Sequence, residues 1–219
     1  MKTNDLISKI VQDNNHGHVI CHPCFSFLKW VLFTVATLSI FIYFIGLKGN
    51  YQEFYNNNIL FYQLIICTIL SVSAGISAFI LSIPGYEIKL LKHVPSITFV
   101  MWISLLFYGV YDEGYIDFKD GYLCLWEIIL FSIIPGIIMF RMVSNRCPLD
   151  YKKISMLSVI SITTLSSIAT QLICGNNSAI HFLMWHILPI ILLTYVAIFV
   201  GDYYFKNKEI SSRRGILNK

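Results

Sequence analysis

Charged residues are scarce in this chain, and they are almost absent from its six long apolar runs. Of the 219 residues, 13% are charged and 56% are hydrophobic. Six apolar runs take up most of the length, so no loop is long enough to hold a soluble catalytic domain. The sequence also lacks a convincing internal repeat of 20–50 residues, which excludes repeat architectures. The six apolar runs therefore determine the architecture of the chain.

The apolar runs have the length of membrane-spanning helices. A helix needs about 20 apolar residues to cross the hydrocarbon core of a bilayer. Every run except the third reaches or approaches that length. The sequence therefore predicts an all-α, polytopic membrane protein with six transmembrane helices. The runs are Leu28–Leu47, Ile59–Ile83, Pro95–Tyr111, Gly121–Phe140, Ile154–Cys174 and Phe182–Val200.

The basic residues lie almost entirely on one side of this six-span map. Fourteen of the sixteen Lys and Arg residues fall in the amino-terminal part, the second–third loop, the fourth–fifth loop and the tail; the others are Lys48 and Lys119. Loops rich in Lys and Arg stay in the cytoplasm. Both termini are therefore predicted to be cytoplasmic, in a protein of the inner-membrane type. Because the cations are dispersed, the formal net charge of +4 does not indicate direct nucleic-acid binding.

The same map divides the chain into three parts. Residues 1–27 form a cytoplasmic amino-terminal segment, residues 28–204 form the six-helix bundle, and residues 205–219 form a basic cytoplasmic tail. About 25 mostly polar residues precede the first apolar run, so a cleavable signal peptide is not expected.

The sequence predicts a short amphipathic helix in the amino-terminal segment. Thr3 or Asn4 can cap this helix at its start. The apolar face consists of Leu6, Ile7, Ile10 and Val11, and Asp5 borders it. A helix this short is marginal alone and becomes ordered when it docks. The sequence leaves two docking surfaces open, a soluble partner or the membrane itself.

Thiol, imidazole and carboxylate groups can meet at the outer ends of the last three spans. Cys124 and Glu127 lie one turn apart on the fourth span, Cys174 ends the fifth, and His181 and His186 open the sixth. This set can bind a soft or borderline metal, for which Cys124, Cys174 and His181 are the candidate ligands, or it can form a Cys124–Cys174 disulfide. The alternative is a packed pair of free thiols beside interfacial histidines, because the spacing is not a zinc signature.

Three further features receive weaker interpretations. Glu127 is the only acidic residue well inside an apolar run, which favours a functional role, yet it is shallow enough to reach the interface. Cys21 and Cys24 form an isolated CxxC motif without a thioredoxin-like pattern, and adventitious metal affinity is the preferred interpretation. His181 and His186 are five residues apart, a spacing that separates them around an α-helix and argues against a shared haem.

Short motifs occur in a fixed order along nearly the whole chain. They are the opening Met1-Lys-Thr-Asn-Asp-Leu-Ile, Ser82-Ile-Pro-Gly85, Cys124, the basic loop from Arg141 through Pro148, and the stretch from Cys174 through His181-Phe-Leu-Met-Trp-His to Pro189. In this order and placement the chain resembles the NrsF-type family of anti-sigma factors, which are six-span proteins of the bacterial inner membrane. One departure is Asn4, which stands where the family has the first of two aspartates.

The resemblance implies a regulatory binding protein and not an enzyme. It implies that the amino-terminal segment, with Asp5 and the apolar face, holds an extracytoplasmic-function sigma factor inactive until an outer-face signal releases it. It also implies that Cys124 and Cys174 sense a metal or an oxidant, and we add His181, His186 and Glu127 as their neighbours. No cofactor is expected apart from a transient metal ion. The competing interpretation is a membrane thiol-redox protein or a small metal or ion transporter.

The six-span map makes a direct topological prediction. Reporter fusions after residues 20, 90, 150 and 215 should report a cytoplasmic location, and fusions after residues 52, 116 and 177 should report the opposite side. The reason is the retention of Lys-rich and Arg-rich loops in the cytoplasm. An outer-face signal after residue 150, where the loop carries four cations, would contradict the orientation.

Overall fold

All regular elements of the described chain are helical. The computed structural model describes residues 22–46, 58–83, 93–114, 121–146 and 150–217, with side chains in the last range as far as residue 203. The helices are α1 Pro23–Ile45, α2 Asn58–Leu81, α3 Val94–Glu113, α4 Tyr122–Ser144, α5 Tyr151–Ile173, α6 Ala179–Phe182 and α7 Leu188–Leu217. A π-helical turn, Leu183–Ile187, joins α6 to α7, and we call it the π-turn.

The prediction of six membrane spans is confirmed. Helices α1 to α5 form the first five spans, and Ala179–Tyr203 forms the sixth. The chain is therefore a multi-pass membrane protein. The first span starts at Pro23, before the predicted Leu28. The third span has 20 residues because its helix starts at Val94 and continues through the polar end of the apolar run to Glu113. Helix α7 passes through the boundary drawn after residue 204.

Helix α5 is the central helix of the bundle. It packs against α1, α2, α4 and α7. The hydroxyl groups on it are buried: Ser155, Ser158, Ser161, Thr163, Thr164, Ser166, Ser167 and Thr170. Hydrocarbon offers no water to such groups, and several of them bond to protein instead: the Thr164 hydroxyl, for example, donates to the Ile160 carbonyl at 2.6 Å. The predicted position of this polar span among other helices is confirmed.

The contact between α2 and α5 depends on small side chains. Ser71 donates to the Ser161 carbonyl at 2.8 Å, and Ser161 donates to the Ser71 carbonyl at 2.7 Å. One turn along α2, a Cβ atom added to Gly75 would collide with the Phe27 ring and would lie 2.7 Å from the Ser161 hydroxyl. Close approach of small residues replaces the hydrophobic effect as a source of helix association in lipid. The backbones can therefore meet only because this position has no side chain.

The two ends of the bundle carry different chemistry. At one end, which we call the arginine end, the buried Arg146 donates to the Ser26 hydroxyl, and its guanidinium lies 5.5 Å from the centre of the Phe79 ring. Helix α1 begins here. At the other end, which we call the thiol end, lie Cys124 and Cys174. The chain enters its first span at the end of the bundle opposite to the thiols.

Candidate thiol and imidazole site

Four buried side chains from three spans converge at the thiol end. Cys124 lies in the first turn of α4, Cys174 directly follows α5, His181 lies in α6, and His186 lies in the π-turn. Each offers one atom that can bind a metal, and these atoms all lie within 4.8 Å of one another. The structure therefore brings together two of the predicted thiols and both of the predicted imidazoles. It does not include the fifth predicted member, Glu127, in this group.

The two thiols and one imidazole are in direct contact. The Cys124 thiol donates a hydrogen bond to the Cys174 sulfur at 3.4 Å. The Nε2 atom of His181 lies 3.5 Å from the Cys124 sulfur and 3.3 Å from the Cys174 sulfur. His181 thus completes a triangle with the sulfur atoms, and its ring centre lies 5.7 Å from that of His186.

The π-turn brings the two histidines together and overturns our argument that their spacing separates them. In an α-helix, side chains five residues apart point about 140° away from each other. A π-helix bonds residue i to residue i+5, so its residues five apart lie one above the other, as residues four apart do in an α-helix. Pro189 lies two residues after this turn and has no backbone N–H to donate to it. The five-residue spacing of His181 and His186 is therefore compatible with both histidines binding one ligand.

Ser167 holds His186 in place from the central helix. Its Oγ lies 2.9 Å from Nδ1 of His186, and both side chains are buried. The other ring nitrogen, Nε2, has no hydrogen-bond partner in the described part of the chain. One nitrogen is thus committed to α5 while the second is available. Sequence reasoning missed this residue because it is one of many hydroxyls on α5, and only the rotation of the helix selects it.

The loop and helix ends around Cys174 are fixed by hydrogen bonds to the backbone. The Asn176 N–H donates to the Cys174 sulfur at 3.5 Å, and the Ser178 N–H donates to the Asn176 side chain at 3.0 Å. Glu113 at the end of α3 accepts a bond from the Ala179 N–H at 2.7 Å, which satisfies a donor at the start of α6. These contacts set the distance between Cys174 and His181. No role for Glu113 was apparent from the sequence.

Hydrogen bonding favours the thiolate form of Cys174. The bond from the Cys124 thiol lowers the pKa of Cys174 well below its ordinary value; burial opposes this shift, and the bond from His181 adds to it. A thiolate, and not a thiol, is the form that binds metals and attacks oxidants. The site therefore holds one activated sulfur next to a sulfur that donates to it.

Gly121 leaves the space that His181 and its neighbour Trp185 occupy. A Cβ atom at this position would collide with the Trp185 indole and would lie 2.5 Å from Cε1 of His181. Gly175, beside Cys174, differs because a Cβ atom there would meet nothing within 4 Å. The packing over the site thus tolerates no side chain at the start of α4 but tolerates one in the nearby loop.

The other predicted residues lie outside this group of four. Glu127 is half-buried on α4, and its role in sensing stays a prediction. Cys24 is exposed near the start of α1, at the arginine end, and Cys67 is buried in α2. The predicted partner-binding residues lie outside the described residues: Asp5, Leu6, Ile7, Ile10 and Val11.

The sulfur contact predicts that the two thiols can be cross-linked. Mild oxidation with diamide should remove Cys124 and Cys174 together from alkylation, since their sulfur atoms need to move only from 3.4 Å to bonding distance. Replacing Gly121 by Ala should slow this reaction several-fold, because overpacking costs about 1–3 kcal/mol and displaces His181 and Trp185. Peptide mass mapping after alkylation measures both effects.

Gly175→Ala is the matched control and should leave the cross-linking rate unchanged. Equal rates in the Gly121 and Gly175 variants would contradict the close packing at the start of α4. Failure of the unmodified chain to form the cross-link at all would contradict the sulfur contact itself.

Comparison with known proteins agrees with the resemblance described above. No curated protein and no solved structure matches the chain significantly. A family model described as "Negative regulator of sigma F" matches residues 21–206, which include the six candidate membrane spans of the described chain and all four side chains of the site. That description names a sigma factor as the partner. The chain therefore belongs to the NrsF family of negative regulators of a sigma factor.

Proposed function

We propose that this protein is an anti-sigma factor of the bacterial inner membrane that sequesters an extracytoplasmic-function sigma factor and releases it on an outer-face signal. The amino-terminal segment makes the sigma contact, and the thiol end receives the signal, which is a metal ion or an oxidant. The convergence of two thiols and two imidazoles at one end of a six-span family member carries the proposal. The protein acts by binding and not by catalysis.

The geometry of the bundle supports separate places for the sigma contact and for the signal. Helix α1, which follows the amino-terminal segment, begins at the arginine end, and the thiols lie at the other end. With the positive-inside orientation, the sigma contact is cytoplasmic and the thiols face the periplasm. Disulfides persist in that compartment, and a reducing cytoplasm would remove them. Signal and partner then meet the protein on different sides of the membrane.

A change at the thiol end has a route to the rest of the bundle. Cross-linking the two sulfurs, directly or through a metal, joins the start of α4 to the end of α5. Helix α5 packs against α1, the span that follows the sigma-binding segment. A signal acts on such an equilibrium only if it binds one state more tightly than the other. We assign the sigma-holding state to the reduced, unliganded pair.

The apolar face of the amino-terminal segment provides the test of the sigma contact. Replacing Leu6 and Ile10 by Asp should release the sigma factor, since burying two unpaired charges at the contact is strongly unfavourable. Ser8→Asp with Gln12→Asp is the matched control, because it adds the same charge to the opposite side of the helix. A sigma-dependent reporter and co-purification from detergent measure release. Full repression by the Leu6 and Ile10 variant at normal protein level would eliminate this contact.

The thiol pair provides the test of sensing. Cys124→Ser and Cys174→Ser should each abolish induction by metal or oxidant and should leave repression intact, because either change removes half of the thiol pair. Cys67→Ser is the control for a buried thiol outside the site, and Cys21→Ser with Cys24→Ser is the control for the CxxC motif. Normal induction in the Cys124 and Cys174 double variant would return these residues to a packing role.

A membrane thiol oxidoreductase is the second candidate, and the 3.4 Å contact between the two sulfur atoms favours it. An oxidoreductase must pass electrons to a partner repeatedly, whereas a sensor needs to react once. With a quinone supplied as the electron acceptor, multiple turnover of a dithiol substrate by the purified protein would support the oxidoreductase, provided that Cys124→Ser abolishes it. A single stoichiometric oxidation that changes sigma binding supports the regulator.

A further inference from the structure

We propose that Cys124, Cys174, His181 and His186 form a closed, four-ligand site for one zinc-type divalent cation. This inference rests on the proposed function and names the ligand class of its sensing site. The family description assigns no metal, and the sequence spacing predicts no zinc motif. The arrangement arises only in the folded chain, where α4, α5 and the sixth span each contribute to it.

The distances fit the edges of a coordination tetrahedron. With zinc–sulfur bonds of about 2.3 Å and zinc–nitrogen bonds of about 2.0 Å, the ligand atoms of a tetrahedral site lie roughly 3.3–3.8 Å apart. The sulfur atoms lie 3.4 Å apart, and Nε2 of His181 lies 3.3 and 3.5 Å from them. His186 supplies the fourth atom within the 4.8 Å limit of the group. Small adjustments of the four side chains therefore suffice to admit an ion.

The donor set selects the kind of ion. Two thiolates and two neutral imidazoles around a divalent cation give a complex with no net charge, which a buried site at a membrane can hold. A monovalent copper ion would leave one negative charge there. Magnesium and calcium require oxygen ligands, and none of the four side chains offers one. Sulfur and imidazole nitrogen together are the ligands of tetrahedral zinc sites.

Ser167 positions the fourth ligand. When Nδ1–H of His186 donates to the Ser167 hydroxyl, the lone pair of the imidazole lies on Nε2, the nitrogen without a hydrogen-bond partner in the described chain. Partners of this kind fix the tautomer and orientation of a metal-binding histidine. Ser167 is therefore a positioning residue that touches no ion itself.

Binding exchanges protons for the cation. The hydrogen bond between the thiols is lost, both sulfur atoms coordinate as thiolates, and any thiol protons still present leave to solvent. The histidines bind in their neutral form. No electron moves, so the ion retains its charge and the sulfur atoms retain their oxidation state.

The test uses the purified full-length protein in detergent, in a background carrying Cys21→Ser and Cys24→Ser to remove adventitious binding. Titration with Co²⁺ under reducing conditions should give one ion per chain, with the intense visible bands of tetrahedral cobalt and a sulfur-to-cobalt charge-transfer band. Zn²⁺ should displace the cobalt and abolish both signals. Thermal unfolding should move to higher temperature in the presence of Zn²⁺, because the ion binds only the folded site.

Single-residue variants distinguish coordination by all four side chains from coordination by two of them. Cys124→Ser, Cys174→Ser, His181→Ala and His186→Ala should each remove the tetrahedral bands. Ser167→Ala should weaken Zn²⁺ binding about 10–100-fold, as loss of a supporting partner does, and Ser167→Thr should restore it. Ser166→Ala is the matched control, because the neighbouring hydroxyl accepts a bond from Ser132 at 3.1 Å and lies outside the site. Size-exclusion profiles establish that each variant remains folded.

The outcomes distinguish this inference from the proposed function. Unchanged cobalt bands in the folded His186→Ala variant would overturn the four-ligand site, even if the cysteines still control sigma release. Octahedral cobalt spectra, or binding that survives loss of both Cys124 and Cys174, would also overturn the four-ligand site. Stoichiometric tetrahedral binding supports the site even if no sigma factor is released, a result that would contradict the proposed function alone.

Discussion

The absence of water from the bilayer core is the constraint on which the rest of this structure depends. Helix α5 carries a hydroxyl on almost every turn, and hydrocarbon cannot solvate these groups. The helix must therefore be enclosed, and α1, α2, α4 and α7 surround it. That enclosure places Cys174 beside Cys124 and brings Ser167 to His186. The thiol and imidazole site is thus a consequence of the burial of one polar helix.

The sequence predicts the spans well because hydropathy and length, the properties that let a helix cross a bilayer, can be read directly from it. Hydropathy and length define the six spans, and composition alone identifies α5 as the interior helix. The rotation of each helix is harder, since nothing in a run of hydroxyls marks which one faces an imidazole. Ser167 bonds to His186, whereas the preceding residue, Ser166, bonds to Ser132. Pairing of this kind is decided by packing between helices.

The site was predicted in part, and one argument about its two histidines was wrong. The meeting of Cys124, Cys174 and the histidines follows from the ends of consecutive spans, which short loops keep at one surface. The wrong step was to apply the period of an α-helix to His181 and His186. A proline near the start of a helix indicates a local change of hydrogen bonding, but it does not say whether a kink or a π-turn results. Residues 1–21, which contain the proposed sigma contact, lie outside the described chain.

The π-turn has a consequence for how this site tolerates insertions and deletions. A π-turn accommodates one more residue than the α-helical turn that it replaces. Removing one residue between His181 and His186 would restore an ordinary helix with the histidines four apart, a spacing that also places both on one side. Inserting a further residue would leave no regular helix that aligns them. The segment between His181 and His186 can therefore lose one residue without separating the histidines, but it cannot gain one.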